Sequence, residues 1–135
     1  MIYSVDVEVT APVYDTEVTD RVADAIVAIF PGADPEFHHG ELAATVHDLE
    51  HLSGLLYRQQ ILDTARDVFF ADRRGDTFSF RLKKQAAFEG VVNFVVDDPG
   101  EIGAIAVRVR VEEPSVEEFI DHVAPPTEAG EPIEP

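Results

Sequence analysis

The sequence predicts an α+β domain in the order β-α-β-β-α-β-β-β-α, a mixed sheet with its helices packed on one face. Three observations carry this. Apolar and polar residues alternate at period two in 3–9, 77–83 and 104–111. Apolar residues recur at helical spacing in 16–30, 49–69 and 116–123. Strand runs mixed with few helices then argue for α+β, with the helices gathered on one side of the sheet. At 135 residues the length suits one domain, 1–125, followed by a disordered acidic, proline-rich tail over 126–135.

Tyr3, Val5, Val7 and Val9 alternate with Ser4, Asp6 and Glu8 as a strand with one dry face. Asp15 is placed to cap a helix from Thr16 to Phe30, which Pro31-Gly32 ends. Pro35–His38 and Glu41–Val46 read as two short strands around a His39-Gly40 turn. Asp48 opens the central helix, whose stripe is Leu49, Leu52, Leu56, Leu62, Ala65 and Phe69. Gly54 and Gln59-Gln60 interrupt that stripe, so a kink or two abutting helices is expected.

Polar residues 72–76 stop the helix, and the period switches to two. Phe78, Phe80 and Leu82 then share a dry face; Thr77, Ser79, Arg81 and Lys83 share a wet, basic one. Gln85–Gly90 is a connection, Val91–Val96 a further strand, and Asp97-Asp98-Pro99-Gly100 a turn. Ile105, Val107, Val109 and Val111 form the dry face of a strand whose outer face carries Arg108 and Arg110. Ser115 and Glu118 make a capping box for the last helix, with Val116, Phe119, Ile120 and Val123 as its stripe.

There is no cysteine, hence no disulfide or thiolate chemistry. No apolar run approaches the roughly 20 residues that span a bilayer. Met1 leads straight into a strand pattern, and a cytoplasmic protein without membrane contact is expected. Acids number 27 and bases 10, only two of them lysine, for a net charge of −17. Such an acidic, lysine-poor surface suits a chain adapted to high salt. The charge is uneven: residues 58–84 hold four acids and seven bases, whereas the segments on either side are each strongly negative.

No nucleotide-binding glycine loop, Walker loop or G-x-S-x-G occurs, so no catalytic residue and no cofactor is assigned. His47-Asp48-Leu49-Glu50-His51 fits the zinc-protease pattern H-x-x-E-H, which needs both histidines on one helical face. With His47 at a strand end and Asp48 as the cap, they do not share one, and no metal site is assigned. Asp63 and Arg66 are spaced as an i,i+3 surface ion pair.

The segments RQQILDTAR (58–66), FRLKKQAAFEGVVNF (80–94) and FIDHVAP (119–125) together resemble the archaeal uncharacterised protein family 0201. Lys83 stands where that family typically has Asn. His122-Val123-Ala124-Pro125-Pro126 replaces a Trp-Leu-Ala-Pro-Arg-like ending. The resemblance implies the fold of the large-subunit ribosomal protein that binds 5S RNA, and a homodimer.

The basic set Arg73, Arg74, Arg81, Lys83, Lys84, Arg108 and Arg110 is the candidate nucleic-acid surface, through neutralisation of phosphates. RNA is the candidate partner of a non-catalytic binding module. The rival is a protein-interaction module that keeps the fold without RNA, with these bases paired to Asp6 and Glu8. The strand's aromatics point inward, so base stacking across the sheet is not expected.

Overall fold

In a computed structural model describing residues 2–96, 103–128 and 131–132, strand β1 (Ser4–Pro12) lies inside the sheet. Its odd-numbered residues Val5, Val7, Val9 and Ala11 are buried, as the alternation requires. β1 pairs on one side with β3 (Glu41–Val46) and on the other with β6 (Ala104–Glu113). Beyond β3 lies β2 (Glu36–His38). Beyond β6 lie β5 (Thr77–Lys83) and the two-residue β4 (Arg73–Arg74).

The described ladders of this six-stranded sheet are all antiparallel, in the order β2-β3-β1-β6-β5-β4, where a mixed sheet was expected. Hairpin connection explains part of this. His39 (φ 53°) and Gly40 (φ 80°) form a two-residue turn with both φ positive, which matches the twist of the paired strands β2 and β3.

Helices α1 (Thr19–Ile29), α2 (Glu50–Arg58), α3 (Leu62–Ala71) and α5 (Val116–Val123) cover the dry face. α4 (Lys84–Ala87) is a single turn inside the expected connection. Phe69 sits at the centre of an aromatic cluster, with ring centroids 5.0 Å from Phe78 and 4.8 Å from Phe80. Phe78, Phe80 and Leu82 share one core with Val5, Val7 and Ile26, as the strand pattern predicts.

Three local expectations are corrected, and the break expected in the central helix at Gln59-Gln60 is found. α1 begins at Thr19 rather than Thr16, because 14–17 form a turn. Glu17 N donates to Tyr14 O at 2.9 Å, and Tyr14 N donates to Glu17 Oε1 at 3.0 Å. The central helix is two helices, broken where Gln60 takes a φ of 59°.

The strand expected over Val91–Val96 reduces to one bridge, Leu82 to Phe94. The amide side chain of Gln59 occupies the peptide of Val92, donating to its O and accepting from its N, both at 2.9 Å, so the ladder stops there. Finally, β7 (Thr127–Glu128) pairs with β8 (Glu131–Pro132) inside the stretch read as a disordered tail. Thr127 Oγ1 donates to Asp63 Oδ1, tying β7 to α3. The Asp97–Gly100 turn lies outside the described residues.

Candidate nucleic-acid interface

Cross-strand register decides which bases share a face. Arg81 stands opposite Ala106, Ser79 opposite Arg108, and Thr77 opposite Arg110. Arg108 and Arg110 in turn stand opposite Glu8 and Asp6. Directly opposed residues point to the same side. The helix-free face therefore carries Arg81 and Lys83 from β5 and Arg108 and Arg110 from β6. It also carries Arg74, opposite Thr77, from β4. Arg74, Arg81, Arg108 and Arg110 are exposed, and Lys83 is half-buried.

Two members of the predicted basic set do not belong to this face. Arg73 stands opposite the inward-facing Phe78, so it emerges on the helix side and pairs with Glu117 of α5 at 2.5 Å. Lys84 is fully buried. Its Nζ donates to Pro12 O at 2.6 Å and to Glu17 Oε1 at 2.9 Å, and lies 5.0 Å from the centroid of the Tyr14 ring. The alternation that turns Phe78, Phe80 and Leu82 inward turns Lys84 inward as well, a signal already present in the sequence.

The remaining bases are partly engaged. Arg110 Nε is 3.5 Å from Asp76 Oδ2. The hydroxyl of Thr77, donating to Asp76 Oδ1 at 3.1 Å, and the Arg110 guanidinium hold the Asp76 carboxyl below its ordinary value of 3.8. Arg74, Arg81, Lys83 and Arg108 enter none of the ion pairs formed among the described residues. Asp6 turns to His47 at 3.2 Å, so the pairing of Asp6 with the bases of β6 is not formed.

The face is divided by charge. Asp6, Glu8, Glu36 and Glu41 lie on β1, β2 and β3; the bases lie on β4, β5 and β6. An open groove of ≈ 590 Å³ crosses the strands, from Glu8 and Thr10 of β1 over β6 and β5 to the edge beyond, where Asp72 also lines it. Ser79, Ala106, Arg81 and Arg108 line one flank, and Val68, Ala71, Val95 and Val96 the other. A second hollow of ≈ 330 Å³ shares Asp72, Ser79 and Arg108 with it and continues to Arg74 and Thr77. The apolar flank was not legible in the sequence, where Val68 reads as part of a helix stripe and Val95-Val96 as part of a strand.

The other motif residues are structural. His47 precedes α2 and its Nδ1 lies 3.3 Å from Val5 O, while Glu50 is taken by His122 at 2.7 Å. The H-x-x-E-H residues therefore do not converge. Arg66 does not pair with Asp63 but with Asp121 (2.6 Å), and donates also to Ala124 O (3.2 Å), clamping α5 to α3. Among the described residues no group of three or more His, Asp or Glu is placed to hold a metal, and no helix is long and apolar enough to cross a membrane.

Comparison with known proteins places this geometry in context. A family profile described as RNA binding matches residues 6–112, from β1 through β6. A UPF0201 protein of Pyrococcus horikoshii is 37% identical over 136 residues, covering 96% of both chains. A UPF0200/UPF0201 protein of Archaeoglobus fulgidus is 34% identical over 131 residues, and this chain spans 40% of that longer relative. The crystal structure of a UPF0201 protein from Methanococcus jannaschii superposes with a TM-score of 0.90 at 35% identity, covering 96% of this chain and 99% of that one.

Proposed function

The chain belongs to the archaeal UPF0201 family, whose profile is described as RNA binding, and from that premise we propose that it is a non-catalytic binding module for RNA or a ribonucleoprotein. The observation that carries this reading is the gathering of Arg74, Arg81, Lys83, Arg108 and Arg110 on one side of a sheet face that no helix among the described residues covers. On a chain of net charge −17 this is where phosphates meet attraction. Arg81→Glu combined with Arg108→Glu is expected to abolish RNA binding without loss of fold. The wild type is expected to keep measurable binding at molar salt. Binding seen only in dilute buffer marks non-specific attraction and removes the proposal.

A second reading is favoured by the acidic half of the same face, Asp6, Glu8, Glu36 and Glu41. It repels nucleic acid and suits a basic protein partner. Retention of RNA binding by the Arg81→Glu, Arg108→Glu protein at wild-type strength also counts against the first reading, since the bases are then only a solvated sheet face.

A further inference from the structure

Successive outward residues of β5 are about 6.8 Å apart, twice the rise of an antiparallel strand. At each of three such levels the register supplies a base. Arg81 itself marks the first level. Arg108 stands opposite Ser79 at the second. Arg74 and Arg110 flank Thr77 at the third. The two hollows share Asp72, Ser79 and Arg108 and together touch all three levels; Glu8 lines the far end of the first, and Asp76, which Arg110 approaches, lines the second. Across the sheet the pattern is the opposite: one strand beyond Arg108 and Arg110 come Glu8 and Asp6. An anion thus meets a base at each level of β5 and an acid one strand beyond β6.

Resting on the RNA reading above, we infer that the ligand is an unpaired, single-stranded RNA segment that runs lengthwise along β5. Its successive phosphates lie on Arg81, Arg108 and Arg74, and one base is held against Val68, Val95 and Val96. Val95 is buried and Val96 is 78% exposed, so this corner offers an unfilled apolar surface beside the Arg81 end of the track. A base is the part of a polynucleotide that gains from leaving water there, because the phosphates cannot. Phe80, the aromatic residue of the lining, is turned into the core and only 4% exposed, so the base packs on aliphatic side chains instead of stacking on a ring. A rigid duplex fits poorly, because its second strand would be driven over Glu8 and Asp6.

Fluorescence anisotropy with a labelled 10-nucleotide single-stranded RNA of mixed sequence, and with the matching duplex, tests this on the full chain. The single strand is expected to bind at least ten-fold more tightly than the duplex. Three phosphate contacts predict a slope of log affinity against log salt of about −2, falling in magnitude by about 0.7 in Arg74→Ala. Val96→Asp, at an exposed position, is expected to weaken single-strand binding at least ten-fold with no change in melting temperature. Arg58→Ala, on α2, is expected to leave binding unchanged. If the wild type binds RNA through Arg81 and Arg108 but ignores Arg74→Ala and Val96→Asp, or prefers duplex, the lengthwise track is wrong while the RNA reading stands. If the wild type binds neither RNA, both fall.

Discussion

Glu17 Oε1 receives the Nζ of Lys84 at 2.9 Å, joining residues 67 apart in sequence inside a site closed to solvent. The other oxygen, Glu17 Oε2, is buried without a hydrogen-bond partner among the described residues. The pair fastens the end of β5 to the turn that precedes α1, where Pro12 O accepts a second bond from the same ammonium. Removing one member of a buried pair strands the other charge, at a cost of about 3–5 kcal/mol. Lys84→Met is therefore expected to destabilise by that amount in urea unfolding. Lys84→Met with Glu17→Leu is expected to recover most of the loss. A single Lys84→Met change within 1 kcal/mol of wild type would show the pair to be dispensable.

Phe80 is 4% exposed and lies between Phe69 and Phe94, at 4.8 and 5.9 Å between ring centroids. Truncation there leaves a cavity that the neighbouring rings cannot fill. Phe80→Ala is expected to cost about 3–5 kcal/mol. Arg81→Ala, its outward-facing neighbour, is expected to change stability by less than about 0.5 kcal/mol. Equal losses at both positions would refute the assignment of faces.

The net charge of −17 sets how stability responds to salt. Repulsion among surface carboxylates acts over a Debye length of about 10 Å at 0.1 M and about 3 Å at 1 M. The melting temperature is expected to climb between dilute buffer and molar KCl, as in a chain adapted to high salt. A flat or falling trace rejects that adaptation.

A homodimer is expected in solution at micromolar concentration and high salt. Among the described residues β2 ends the sheet with an unpaired edge, and its Phe37 is 50% exposed. Such edges recruit a covering strand. Light scattering that returns a mass near 14.9 kDa overturns this expectation.

The fold was legible wherever periodicity was long. β1, β5 and β6 follow their alternation residue by residue, and Ser115 caps α5 by accepting from Glu118 N at 3.2 Å. What escaped were side chains that act on distant backbone. Gln59 ends a strand by bonding Val92, and Arg66 ignores its helix neighbour Asp63 for Asp121. Local pattern carries no information about partners that far apart. The candidate interface was half legible. Alternation placed Arg81, Lys83, Arg108 and Arg110 on one face, while the side chosen by Arg73 depended on the unforeseen pairing of β4 with β5. Lys84 was misassigned by its charge, although, one residue past β5, it continues the even-numbered pattern that points inward.

The position of β1 between β3 and β6 also shapes how the chain assembles as it leaves the ribosome. β3 follows β1 closely and can zip onto it early. β6 arrives only after Ala104–Glu113 has been made, and until then one whole edge of β1 is bare. Pairing across so long a separation is slow to nucleate. Throughout that wait the nascent strand would be an open template for its own copies, were it not for Asp6 and Glu8 on its outer side. Their charges discourage the stacking of identical edges. The acids that make half of the finished face inhospitable to phosphate thus act first as guards of an unfinished sheet.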